Sequence, residues 1–102
     1  MTVEELSEAM DAFVRGRGWY EPDSPRPQTP RNVAISLNLE AAEILELFQW
    51  SEAADPAELA PELADVLLYL LQLARLHGID LAQAVLDKLA VNAGRRWEQD
   101  ER

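Results

Sequence analysis

The sequence predicts an all-α protein, a four-helix bundle in one domain. Apolar residues recur at helical intervals in four separate segments. No run alternates polar and apolar residues as a half-buried strand does, and residues that cap or break helices bound the segments. Thr2 and Glu5 have capping-box spacing, and Val3, Leu6, Met10, Phe13 and Val14 follow on one face, so the first helix is expected from about Val3 to Arg15 and stops near Gly16 and Gly18. Residues 18–30, GWYEPDSPRPQTP, hold four of the six prolines and no helical period, and are expected to form a loop. Thr29-Pro30 reads as an N-cap with proline in the first turn, opening a second helix that runs to about Trp50. Ser51–Ala60 is expected to be a connection with at most a turn of helix around Pro56–Leu59. Pro61 then opens the third helix, which ends at Gly78. Asp80 and Gln83 form a second capping-box pair before a fourth helix through roughly Ala93. A flexible tail is expected from about residue 98.

Composition excludes several classes. Residues of the AVILMFWYC set make up 48% of the chain, too many for a disordered segment. The net charge of −10, from 19 acids against 9 basic residues, disfavours a nucleic-acid polymer or an anionic membrane surface as partner. With no cysteine there is no disulfide, thiol nucleophile or thiolate metal site. The start, MTVEELSEAMD, lacks the basic-then-apolar plan of a signal peptide, and Leu63–Leu76 is too short to span a bilayer. A cytoplasmic protein is expected. The second and third helices are apolar around most of their circumference, more than four short helices can cover, so the bundle core is expected to be shared between chains of a homo-oligomer, a dimer or dimer of dimers.

Against that greasy background stand two acidic pairs, Glu40 with Glu43 and Glu62 with Asp65, each three residues apart and therefore on one helix face. One such pair is ordinary, a cap or dipole partner. Two pairs on consecutive apolar helices repel unless a cation joins them. Oxygen donors alone suit a hard cation, Mg²⁺ or Mn²⁺, which also favours phosphate ligands. With Pro61 as first residue, Glu62 and Asp65 fall in the opening turn of the third helix, and a stagger is needed to bring them to Glu40 and Glu43. The rival is a non-enzymatic helical interaction module whose acids serve only solubility and caps. A di-iron carboxylate bundle would need Glu-x-x-His, which does not occur.

These motifs, Glu40-Ala-Ala-Glu43 and Glu62-Leu-Ala-Asp65, together with PRNVAISLNLEAAEILELFQW and ELADVLLYLLQLARLHGIDLAQAVLDKLAVNAGRRW, resemble the all-α nucleoside triphosphate pyrophosphohydrolases of the MazG-like superfamily, in particular the dCTP pyrophosphatase branch, over about residues 19–97. Many members carry a further Glu where this chain has Leu39, but that branch lacks it too. The branch tends to have a histidine before Pro-Arg-Asn, where this chain has Gln28. The resemblance implies Mg²⁺-dependent hydrolysis of a nucleoside triphosphate, such as dCTP, to the monophosphate and pyrophosphate. It also implies that Glu40, Glu43, Glu62 and Asp65 hold the metal. Water is then oriented by Glu46 or by one of the motif glutamates. Trp19, Trp50 and Tyr69 are candidate base-pocket aromatics, with core packing the alternative for Tyr69 and an oligomer contact for Trp50. Lys88, Asn92, Arg95 and Arg96 are candidate phosphate or sugar contacts, with a cationic helix terminus the alternative for the arginines. Trp97 is expected to be a packing anchor, and His77 to terminate the third helix.

Overall fold

The structure, a computed structural model, describes residues 1–95. Four helices follow one another: α1 (Val3–Gly16), α2 (Pro30–Leu47), α3 (Pro56–Leu76) and α4 (Leu81–Ala93). The described residues contain no strand, and no helix among them is long and apolar enough to cross a membrane.

Helix α1 starts where its capping box closes. The Glu5 amide donates to Thr2 Oγ1 at 3.0 Å, and the Thr2 amide donates to Glu5 Oε1 at 3.1 Å. Its buried face is Ser7, Met10 and Val14, and Met10 and Val14 pack against Leu71 of α3. Arg75 of α3 completes this seam, donating to Ser7 Oγ at 3.3 Å and pairing with Asp11 at 3.4 Å. The loop from Arg17 to Thr29 reverses at Gly18, whose φ of 72° is open to glycine at little cost. It is braced from inside: Asn32 Nδ2 donates to the Pro27 carbonyl and Gln28 Nε2 to the Arg26 carbonyl, both at 3.0 Å.

Two boundaries differ from expectation. Helix α2 ends at Leu47 rather than near Trp50, and the chain leaves through tight turns such as Gln49 N–H to the Glu46 carbonyl. Helix α3 opens at Pro56 rather than Pro61. Asp55 is its N-cap, accepting from the Ala57 amide at 3.0 Å, and Pro56 takes the first position. Pro61 lies inside the helix, where its missing N–H leaves the Ala57 carbonyl without its helical partner. Both residues are exposed, so water can supply that bond. Asp80 caps α4 by accepting from the Gln83 amide, but the Gln83 side chain turns to Asp87 instead of closing a box.

Helices α2 and α3 form the principal antiparallel pair, α1 packs on α3, and α4 packs mainly against α1. The core of the single chain is small: Met10, Val14, Val33, Leu71 and Ala74. Leu45 is 73% exposed, Leu39 62%, Leu86 59%, Leu89 57% and Leu63 51%. The chain presents 7955 Å² to solvent, where a compact monomer of 11.5 kDa presents roughly 5,800 Å². Its radius of gyration is 16.7 Å, against about 13 Å for a compact domain of this length. One chain thus leaves much of the apolar surface of α2 and α3 uncovered.

Candidate functional site

The early start of α3 has a consequence for the acids. Five residues of helix precede Pro61, so Glu62 and Asp65 sit in the second and third turns instead of the first. That is the stagger an antiparallel partner requires, and it also removes the plain N-terminal dipole explanation for these two side chains. One carboxylate oxygen from each of Glu40, Glu62 and Asp65 lies within 4.8 Å of the others. Glu43 lies beside this group, close enough to raise both the Glu40 and the Glu62 carboxyl. All four acids of the two motifs thus meet across the α2–α3 seam.

The electrostatics record the crowding. Burial raises the Glu40 carboxyl above its ordinary range, helped by the neighbouring charge and hydrogen bond of Glu43. The hydrogen bond with Glu43 raises the Glu62 carboxyl, with burial and the surrounding acids adding to it. Two oxygens, Glu40 Oε2 and Glu62 Oε2, are shielded from solvent with no hydrogen-bond partner. A shielded carboxylate oxygen without a donor is costly, and four convergent carboxylates with such oxygens fit a hard divalent cation.

A pH dependence follows with a definite sign. Both carboxyls titrate above the usual 4.5, so the folded chain binds protons that the unfolded chain releases. These groups lower stability at neutral pH, and that cost fades as pH falls through their raised range towards 4.5. The metal-free protein is therefore expected to melt higher at mildly acidic pH than at pH 7. Glu40→Gln should flatten the trend, and MgCl₂ at pH 7 should raise the melting temperature. Scanning calorimetry over pH, with and without Mg²⁺, measures all three.

Beside the acids lies a cavity of about 420 Å³, within the size range of small-molecule pockets. Asp65 belongs to both the acid cluster and the cavity wall. Most of the remaining lining is apolar, from Leu6, Met10, Phe13 and Val14 of α1, Leu68 and Tyr69 of α3, and Trp19 of the loop. The Trp19 ring is held edge-on against Phe13, with centroids 5.6 Å apart and planes at 87°. Two carboxamides complete the wall, Gln28 and Gln72, and Gln72 Nε2 donates to Gln28 Oε1 at 2.9 Å. Periodicity points to neither Phe13 nor Gln72 as a site residue. The one available signal for Gln72 is an amide inside an otherwise apolar helical stretch.

Of the residues expected at the site, the structure brings together Glu40, Glu43, Glu62 and Asp65, and sets Trp19 and Tyr69 beside them. Trp50 is 90% exposed, past the end of α2. Lys88, Asn92 and Arg95 belong to α4 and its C-terminal turn, and α4 begins beyond the C-terminal end of α3 and packs mainly on α1, so one chain does not assemble them with the acids. Glu46 is exposed one turn beyond Glu43. His77 is the C-cap of α3, its Nδ1 2.8 Å from the Leu73 carbonyl. Arg96, Trp97 and the tail expected from about residue 98 lie outside the described residues.

A model of the MazG-like family matches residues 35–102, which include all four acids. The chain belongs to the MazG-like family. This MazG-like chain is 35% identical to dCTP pyrophosphatase 1 of Homo sapiens, over 92% of its own length and 58% of the human protein. It thus spans less than three fifths of that relative and of its mammalian counterparts. It is 36% identical to a dATP/dGTP diphosphohydrolase of Cyanophage S-2L, covering 94% of the MazG-like chain and 78% of the phage protein. Among solved structures, a pyrophosphatase from Archaeoglobus fulgidus superposes with a TM-score of 0.73 at 37% identity. That match covers 87% of this chain and 86% of the other.

Proposed function

We propose that this MazG-like chain is a divalent-cation-dependent nucleoside triphosphate pyrophosphohydrolase. It would act on a deoxynucleotide such as dCTP to release the monophosphate and pyrophosphate. The observation that carries this is the position of Asp65. It places an acid cluster fit for a cation against an aromatic-walled apolar cavity, edge to edge, as a triphosphate and its base would require. Relatives bearing the names of dCTP pyrophosphatase and dATP/dGTP diphosphohydrolase support the same reading.

In this function Glu40, Glu43, Glu62 and Asp65 would hold Mg²⁺, with Mn²⁺ a chemical substitute. When bound, the cation neutralises phosphate charge and lowers the pKa of a water. The chain's own residues do the rest. Trp19, fixed by Phe13, and Tyr69 offer flat faces to a base. The apolar wall excludes water from the base while the acids keep the phosphate end polar. Hydrolysis adds water across the α–β anhydride, one phosphorus keeping the new oxygen and the other departing with the bridging oxygen, so no covalent enzyme intermediate is needed.

The described helices act as one domain, and a homo-oligomer completes it. The solvent-exposed leucines of α2, α3 and α4, and a surface excess of roughly 2,000 Å² over a compact monomer, exceed what a standard interface buries per partner. A second copy is the occupant proposed here. Lys88, Asn92, Arg95 and Arg96 would then reach phosphates or sugar, and Trp50 a base or the interface, from across the contact. A cytoplasmic location goes with a free nucleotide substrate.

The test is direct. The protein incubated with dCTP and MgCl₂ is expected to yield dCMP and pyrophosphate in equal amounts, and EDTA is expected to abolish both. Orthophosphate as the product, or turnover indifferent to EDTA, would refute the proposal.

A further inference from the structure

Besides Asp65 and the polar tips of Trp19 and Tyr69, two carboxamides line the cavity, and the hydrogen bonds of this pair leave little freedom of orientation. A backbone carbonyl only accepts, so the Arg26 carbonyl requires the Gln28 amide nitrogen to face it. Gln28 Oε1 then faces Gln72, which must donate, and does so at 2.9 Å. Gln72 is 3% exposed and cannot trade this bond for water. Gln28 keeps one lone pair on Oε1, at the deep end against Gln72, and one hydrogen on Nε2, at the outer end by the exposed Arg26.

We propose that Gln28, locked in this sense by Gln72 and the Arg26 carbonyl, reads the edge of the base and selects amino-bearing over keto-bearing bases. The inference rests on the hydrolase function proposed above. With the phosphates at the acids, the pyrimidine 4-substituent lies opposite the sugar and penetrates furthest. There it meets an acceptor, Gln28 Oε1. An exocyclic amino group satisfies that acceptor, and the adjacent unprotonated ring nitrogen takes the remaining Gln28 hydrogen. A keto base presents the reverse order, an oxygen towards an oxygen, and leaves both partners unpaired. A freely turning amide would flip and accept either base. The lock turns a permissive side chain into a selective one. Gln28 is thus a specificity-determining residue, and Gln72 a positioning residue that acts through it.

The experiment compares kcat/KM for dCTP and dUTP, which differ only along this edge. The wild type is expected to favour dCTP by about tenfold or more. Gln28→Leu should bring the ratio to within about threefold of one, with the requirement for Mg²⁺ intact. Gln72→Met, which keeps the volume but cannot donate, should lower the ratio with a smaller effect on kcat for dCTP. A merely structural role would depress both substrates together and leave the ratio unmoved. A wild-type ratio at or below one, or a ratio unchanged in both variants, would overturn the inference while leaving the hydrolase standing. If neither nucleotide is hydrolysed, the proposed function falls, and calorimetric titration with dCTP and dUTP decides the inference separately. A dCTP preference lost in Gln28→Leu supports it, and equal affinities in the wild type overturn it.

Discussion

Asp65→Asn and Glu62→Gln are expected to reduce Mg²⁺-dependent pyrophosphate release from dCTP by at least about 10²-fold, since a divalent cation in such a site contributes several kcal/mol to the stabilisation of developing charge. Stability should move the other way. Each change removes a charge from a cluster in which Glu40 and Glu62 already titrate high because of their neighbours. The metal-free variants should therefore melt at or above the wild-type temperature at pH 7. The added stabilisation that MgCl₂ confers on the wild type should shrink with the lost activity, because a ligand that binds only the folded state stabilises in proportion to its affinity. Product assays and melting curves on the same preparations measure both halves. Acids that served only solubility would show neither effect, and acids that served a helix cap would show a fall in stability on substitution. A variant that melts lower than wild type without metal and still turns over dCTP would remove the acids from the chemistry.

Leu86→Glu and Leu67→Glu are expected to dissociate the proposed homo-oligomer and to lower its melting temperature steeply. Leu86 is 59% exposed on α4 and Leu67 42% exposed on α3. In an isolated chain such exposed positions tolerate substitution within about 0.5 kcal/mol. Buried at the centre of a contact between copies, each would cost about 2 kcal/mol or more, since a charge would enter an apolar interface. The size of the effect therefore reports whether a partner is present. Sedimentation or light scattering gives the mass, and circular dichroism the melting. Activity should fall with the mass, because Lys88, Asn92 and Arg95 lie on or just beyond a helix that packs mainly on α1 within one chain. A wild type that sediments as a monomer, with Leu86→Glu neutral, would exclude the shared core.

Much of this was legible in the sequence because it is local. Thr2, Thr29 and Asp80 mark helix starts by accepting hydrogen bonds from the Glu5, Asn32 and Gln83 amides, each three residues on. The ExxE and ExxD spacings place carboxylates on one helix face whatever surrounds them. The ambiguity at Pro61 is also local in origin. Proline suits a first turn, and Asp55-Pro56, five residues earlier, offers the same signal together with a capping carboxylate.

The sequence by itself determined the helical class, the identity of the four acids and their pairing by helix, because helix periodicity and capping act over a few residues. Only the tertiary structure decided that Glu43 meets Glu62 across the α2–α3 seam, that Asp65 serves both the acid cluster and the cavity, and that Gln72 holds Gln28 across 44 residues of chain. Those contacts join segments far apart in sequence. They depend on the stagger of α3 against α2 and on the fold of the loop over α3, and no local pattern encodes either.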